Sequence, residues 1–170
     1  MGYASGAMFV ERVFKRGSKK QAQEMIDSIK NAFEQRLYHL KWMDKGTREA
    51  ALIKARAITG MLKNGQFLTE QSINNHATSL DMIGYPSFIE DNSELDQKYA
   101  QLKVKKDDYF GNGLASRKLL LYENMRKWKQ PVNRTRWSMS PPTVNAYYTP
   151  TKNQIVFPAG ILQSPFFNIK

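Results

Sequence analysis

"SKKQAQEMIDSIKNAFEQRLYHLKWM", Ser18 to Met43, is the stretch that decides the kind of fold. Its apolar positions Ala22, Met25, Ile26, Ile29, Phe33, Leu37 and Leu40 recur every three or four residues. They form one stripe over about six helical turns, so the spacing predicts a long amphipathic helix with Ser18 as its cap. Upstream, Met8, Phe9, Val13 and Phe14 share the same period and predict a short helix from Gly6 to about Lys15, ended near Gly17. Downstream, Asp44 is placed to cap a third helix over "KGTREAALIKARAI".

Beyond that helix the period fades. Thr59 to Leu80 mixes Gly, Asn and Ser with isolated apolar residues and reads as a surface insertion. "IGYP", Ile83 to Pro86, reads as a turn, because Pro86 pushes Tyr85 away from helical dihedrals. A short helix is expected over "ELDQKYAQL" after Glu94, and a longer one after Asp107 or Asp108, running to Pro131 and weakened by Gly111 and Gly113. From Trp137 onward β-branched and aromatic residues rise and prolines punctuate. "TVNAYY" and "NQIVF", separated by "TPTK", predict an antiparallel hairpin with Pro150 in its turn. The fold expected is mainly α with a short C-terminal β-hairpin, divided near residue 138.

Composition narrows the function by exclusion. The 170 residues carry a formal net charge of +11, which invites a polyanion-binding helical domain. Yet the basic residues are scattered over "KRGSKK", "KVKK", "RKWK" and "NRTR" among acids and apolar positions, the pattern of solvated helix faces, so no nucleic-acid partner is expected. There are no cysteines, and the longest apolar runs fall far short of the roughly 20 residues that span a bilayer. The two histidines, His39 and His76, cannot pair on one helical turn, and no metal site is expected in this chain. Nucleotide-binding and nucleophile-elbow motifs are absent. Glu90/Asp91 and Asp107/Asp108 are sequence neighbours suited to caps and loops, and assign no acid/base pair.

One segment is specific. "WSMSPPTVNAYYTPTKNQIVFPAGILQSPFF", Trp137 to Phe167, closely resembles the segment before the zinc helix of the neprilysin and endothelin-converting-enzyme family of zinc metallopeptidases. "LKWMDKGTREAALIKARAI", "MIGYPSFIED" and "ELDQKY" resemble the same family in the same order, and "GAMFVERVF" is similar to the region before them. Thr59 to Leu80 is the exception, a lineage-specific loop or retained non-coding sequence.

The resemblance implies that residues 1–137 are the end of a helical lobe and 138–170 the start of a catalytic lobe. It implies that the Asn145 side chain and the Ala146 carbonyl hold the substrate backbone on the leaving-group side, and that Ile161 and Phe166 help form an apolar specificity pocket. Burying a large apolar side chain against them contributes roughly 1.5 to 3 kcal/mol. The parent would be an extracellular or membrane-anchored zinc endopeptidase that cleaves oligopeptides on the amino side of hydrophobic residues. In such an ectodomain "NRT" at Asn133 is a glycosylation sequon. The family's His-Glu-x-x-His helix has no counterpart here, so the chain alone, without its missing catalytic lobe, is expected neither to bind zinc nor to hydrolyse peptides. The competing expectation is a truncated, non-catalytic module that binds peptides or proteins through an exposed strand from Asn145 to Tyr148.

Overall fold

The computed structural model describes residues 1–15, 17–58, 82–133 and 135–168. The expectations for Thr59 to Leu80 and for His76 lie outside the described residues. What is described is mainly α, as expected, with a small sheet near the C-terminal end.

Helix α1 (Gly2–Val13) starts four residues before the position its apolar period marks. Its covered face is not the apolar one. Met8 and Val13 are exposed, whereas Gly6 is buried. A Cβ at Gly6 would stand 2.8 Å from Pro141 Cδ, and one at Gly2 would stand 2.8 Å from Ser140 Cβ. The small residues at this i, i+4 spacing let the helix lie directly on the segment that leads into the hairpin.

Helix α2 (Ser18–Tyr38) has Gly17, at φ 93°, as its N-cap, and not the expected Ser18. A left-handed entry suits glycine, and Ser18 becomes the buried first residue of the helix. Ala22 and Ile26 pack with Ile83 and Leu162, and Phe14, Ile155, Phe157, Ile161 and Phe167 close around them. Met25, Ile29 and Phe33 from the same stripe stay exposed. Helix α3 (Lys45–Arg56) is capped as expected: Asp44 accepts from Thr47 N at 2.8 Å and from Thr47 Oγ1 at 2.9 Å. It lies against α2, tied by Arg56 Nε donating to Glu34 Oε2 at 3.0 Å.

The "IGYP" turn is partly corrected. Ile83–Gly84 forms strand β1, and a 3-10 turn, Ser87–Glu90, follows Pro86. Helix α4 (Asn92–Tyr99) begins before the expected Glu94, capped by Asp91, whose side chain accepts from Ser93 N at 2.8 Å. Helix α5 (Tyr109–Met125) is capped by Asp108 on Gly111 N at 2.8 Å and ends before Pro131, with Lys129 at φ 62° beyond it. None of its residues is buried; Phe110, Leu114, Leu121 and Met125 lie exposed at helical spacing. Glu123 on α5 draws in Lys98 at 3.7 Å and Arg136 at 3.9 Å, joining α4, α5 and the approach to the hairpin.

Strands β2 (Tyr147–Thr149) and β3 (Gln154–Pro158) form the expected antiparallel hairpin, with Tyr147 opposite Val156 and Thr149 opposite Gln154. Pro150 opens its turn, and Asn153, at φ 48°, anchors the turn by donating from Nδ2 to Lys54 O at 3.0 Å. The sheet order is β1-β3-β2, with β1 parallel to β3. Central β3 is covered on both faces. Val156 joins Met82 and Trp137 on one face, and Ile155 and Phe157 join the α2 cluster on the other. A run of apolar residues without alternation is the mark of such a strand.

Two phenols report on this packing. Burial pushes the Tyr3 hydroxyl, which donates to Trp137 O at 3.2 Å, up to about 12. Burial, aided by the hydrogen bond to Glu90, does the same for Tyr85. A phenol pKa raised by folding contributes stability that is fully present below pH 10.0 and is lost as pH rises through about 12. Ultraviolet titration should therefore find two tyrosines ionising late, and Tyr3→Phe should remove one of them. At the acid end, hydrogen bonds from Thr47 hold Asp44 below the ordinary carboxylate value, and those from Ser93 do so for Asp91. Their capping is complete above about pH 3.8 and is lost as pH falls through the depressed values, so the protection factors of amides in the first turns of α3 and α4 should drop on acidification before those of the rest of the fold.

Candidate functional site

The sequence expectation centred on Asn145 and Ala146, and both sit just before β2, outside its pairing, with Asn145 N donating to Thr143 O at 3.1 Å. The strand expected from Asn145 to Tyr148 thus enters its ladder only at Tyr147. Asn145 is exposed, and its Oδ1 accepts the N–H of Ala146 at 2.8 Å. That bond occupies the Ala146 N–H and leaves the carbonyl as the group Ala146 can offer.

Which side of β2 is open follows from the ladder. Ala159 N donates to Gly84 O at 2.6 Å, so residue 159 directs its backbone groups toward β1. Amide groups alternate sides along a strand, so Phe157 also faces β1, while Val156 and Gln154 face β2. Tyr147 and Thr149, their partners, face β3. Tyr148 then points the opposite way, to the side of β2 that has no strand partner among the described residues. The open edge presents the Tyr148 N–H and carbonyl, close in the chain to Ala146 and the exposed Asn145.

The hairpin is held rigidly behind this edge. Tyr147 Oη accepts from Ser138 N at 3.0 Å, and Tyr148 Oη donates to Asn153 Oδ1 at 3.1 Å. Gly160 N donates to Pro141 O at 2.8 Å, clamping the chain after β3 onto the chain before β2. An edge strand so fixed can accept an extended chain through backbone hydrogen bonds with little ordering of its own.

The two apolar residues expected to form a pocket are placed differently. Ile161 is half-buried in the cluster of Ala22, Ile26, Ile83 and Leu162, so part of its surface is committed to the core. Phe166 is 67% exposed and free to meet a ligand, while Phe167 turns to the core. Asn133 and Thr135 are exposed on the loop before Trp137. Sequence reasoning did not single out Tyr148 as an edge-facing residue; the register of β3 against both neighbours is what identifies it.

Among the described residues, no group of three or more His, Cys, Asp or Glu side chains is arranged to hold a metal ion. The chain has no cysteine, and His39 is exposed at the end of α2. The donors a zinc ion needs, three or four convergent imidazole, thiolate or carboxylate groups, are not brought together among the described residues.

Comparisons with known proteins bear on the family of the chain. Two sequence models, each described as peptidase family M13, match the chain, an N-terminal one over residues 1–63 and a second over residues 145–170, starting at Asn145. An endothelin-converting enzyme homolog of Locusta migratoria is 51% identical over 169 residues, covering 99% of this chain and 20% of the relative. Neprilysin-3 of Drosophila melanogaster is 47% identical, covering 99% of this chain and 19% of the relative. The chain thus spans about one fifth of the length of the curated relatives it matches. Of solved structures, Mycobacterium tuberculosis zinc metalloprotease Zmp1 in complex with inhibitor is similar at a TM-score of 0.72 and 33% identity, over 99% of this chain and 21% of that one. PepO from Lactobacillus rhamnosis is similar at 0.63 and 26%, over 97% of this chain and 22% of that one.

Proposed function

The chain belongs to peptidase family M13, the family of neprilysin and the endothelin-converting enzymes, and from that membership we propose that it supplies the substrate-holding strand of a longer zinc metalloendopeptidase. In this reading residues 1–137 close a helical lobe and residues 138–170 open the catalytic lobe. An extended oligopeptide adds to the open side of β2, taking the Ala146 carbonyl and the Asn145 side chain on the leaving-group side of the scissile bond. Phe166, with the free part of Ile161, contacts the hydrophobic side chain that follows the cut. The observation that carries the reading is the direction of the backbone: Tyr148, two residues after Ala146, presents its hydrogen-bonding groups to the side of the hairpin that no strand covers among the described residues.

Zinc is the metal the family implies, and the donors among the described residues do not fit it. In the proposed parent its ligands come from sequence outside these residues, and no step through the metal is assigned to residues described here. The apolar surfaces left open on α2 and α5 support the same reading, since contiguous apolar faces of this kind are covered in a stable protein. The parent is proposed to be an extracellular or membrane-anchored ectodomain; among the described residues no helix is long and apolar enough to cross a membrane.

The test is kinetic. In the full-length peptidase, Asn145→Ala should lower kcat/KM for an oligopeptide about 10- to 100-fold, the loss of one or two well-placed hydrogen bonds at roughly 1 to 3 kcal/mol, with thermal stability unchanged. An unaltered kcat/KM would remove Asn145 from the substrate edge. Saturable peptide binding by the 170-residue chain itself, without hydrolysis and abolished by the same substitution, would move the function to a binding module.

A further inference from the structure

The chain contains a single Asn-x-Ser/Thr triplet, Asn133-Arg134-Thr135, and its middle residue is not proline. Asn133 and Thr135 are both exposed. The Asn133 side-chain oxygen accepts two hydrogen bonds from the same threonine, from Thr135 N at 2.8 Å and from Thr135 Oγ1 at 2.7 Å.

We propose that Asn133 is the acceptor of an N-linked oligosaccharide, with Thr135 as the residue that positions its carboxamide. An amide nitrogen is a poor nucleophile because its lone pair is delocalised into the carbonyl. Two donors on Oδ1 stabilise the charge that gathers on that oxygen as the nitrogen gives up a proton, and neither of them occupies Nδ2. The co-substrate is a lipid-pyrophosphate-linked oligosaccharide. A bond forms between Nδ2 and the sugar's anomeric carbon. The bond from that carbon to the pyrophosphate oxygen breaks, the pyrophosphate leaves with the electron pair, and Nδ2 loses one proton to the transferase.

The surroundings suit a glycan. Val132 and Trp128 nearby are 68% and 78% exposed, apolar surface that a hydrated oligosaccharide would cover. Just downstream the chain becomes fixed, with Lys152 Nζ donating to Arg136 O at 3.1 Å and Trp137 buried, so the acceptor is held on a surface loop beside a rigid anchor. The site rests on the ectodomain reading, because the glycan donor is available only in the secretory lumen.

The full 170-residue chain, carried into microsomes on a cleavable signal peptide and bearing a control sequon in a C-terminal tag, gives the test. The wild type should show two endoglycosidase-sensitive mobility steps. Asn133→Gln and Thr135→Ala should lose one, and Thr135→Ser should keep it, a rescue that a merely structural threonine would not give. Modification of the control sequon alone in the wild type overturns the proposal. Glycopeptide mapping of the natural full-length protein addresses the other reading: Asn133 used in microsomes, in a natural protein that carries no glycan anywhere, condemns the ectodomain assignment and not the acceptor.

Discussion

Replacing Trp137 by alanine should cost the fold about 3 to 5 kcal/mol, a large share of what a domain of this size holds in reserve. The indole is only 5% exposed and packs with Met82 and Val156, with Tyr3 and Tyr147 closing around it. It stands where three elements meet: α1 reaches it through Tyr3, β3 through Val156, and the approach to β1 through Met82. Removing the ring leaves a cavity that none of these can fill, because each is held elsewhere. Tyr3, for example, is fixed edge-on to Phe88 at 5.0 Å, and its backbone N–H is bound to Tyr99 Oη at 3.1 Å. Denaturant unfolding followed by circular dichroism reads the loss. Trp128→Ala, at an exposed position, should change stability by about 0.5 kcal/mol at most. Equal effects at the two tryptophans would mean that the junction is not a core.

Gly160→Ala is the second large effect, at about 3 kcal/mol or more, although it adds one methyl group. The new Cβ would stand 2.5 Å from the Pro142 carbonyl oxygen and 2.7 Å from that of Thr143. Both are backbone atoms, so no rotamer change relieves the contact. The chain after β3 must move off the chain before β2, stretching the bond from Gly160 N to Pro141 O. Because that clamp sets the hairpin that carries Asn145 and Ala146, the proposed substrate edge predicts that peptide affinity of the longer peptidase falls along with stability. Gly113 supplies the opposite sign. It lies inside α5 with open space where a Cβ would go, so Gly113→Ala should stabilise the chain by about 0.5 to 1 kcal/mol. Thermal melts of the two variants should move in opposite directions.

These contrasts show which features are local enough to read along a chain. The Asp44 and Asp108 caps are legible because a cap is decided within three residues. The stripe on α2 gives the helix but not which part of it is covered, since Ala22 and Ile26 meet residues from the far end of the chain while Met25, Ile29 and Phe33 meet none. Helix α1 misleads for the same reason: its buried face is chosen by Pro141, through a close approach that only glycine allows. Strand β1 is two residues long and has no period to detect; only Phe157 and Pro158 make it a strand. At the site, residue types alone assign nothing to Asn145, and the role proposed for it comes from likeness to a family. The physical half of that assignment, which side of the hairpin is open, depends on β1 filling the other side.

That two-residue pairing also has a consequence in time. Ribosomes deliver Ile83 and Gly84 long before Phe157 exists, so every helix from α1 to α5 can form while the sheet still lacks its central strand. The cluster under α2 remains half-built in that interval, with Ala22 and Ile26 waiting for Leu162. Sheet closure is a late, long-range event of the kind that limits folding rate, and it creates the open edge of β2 in the same act that completes the core. A nascent chain stalled before residue 157 should therefore be helical and bound by chaperones at the unfinished cluster, and should shed them there as the last residues of β3 and the loop behind it complete the sheet.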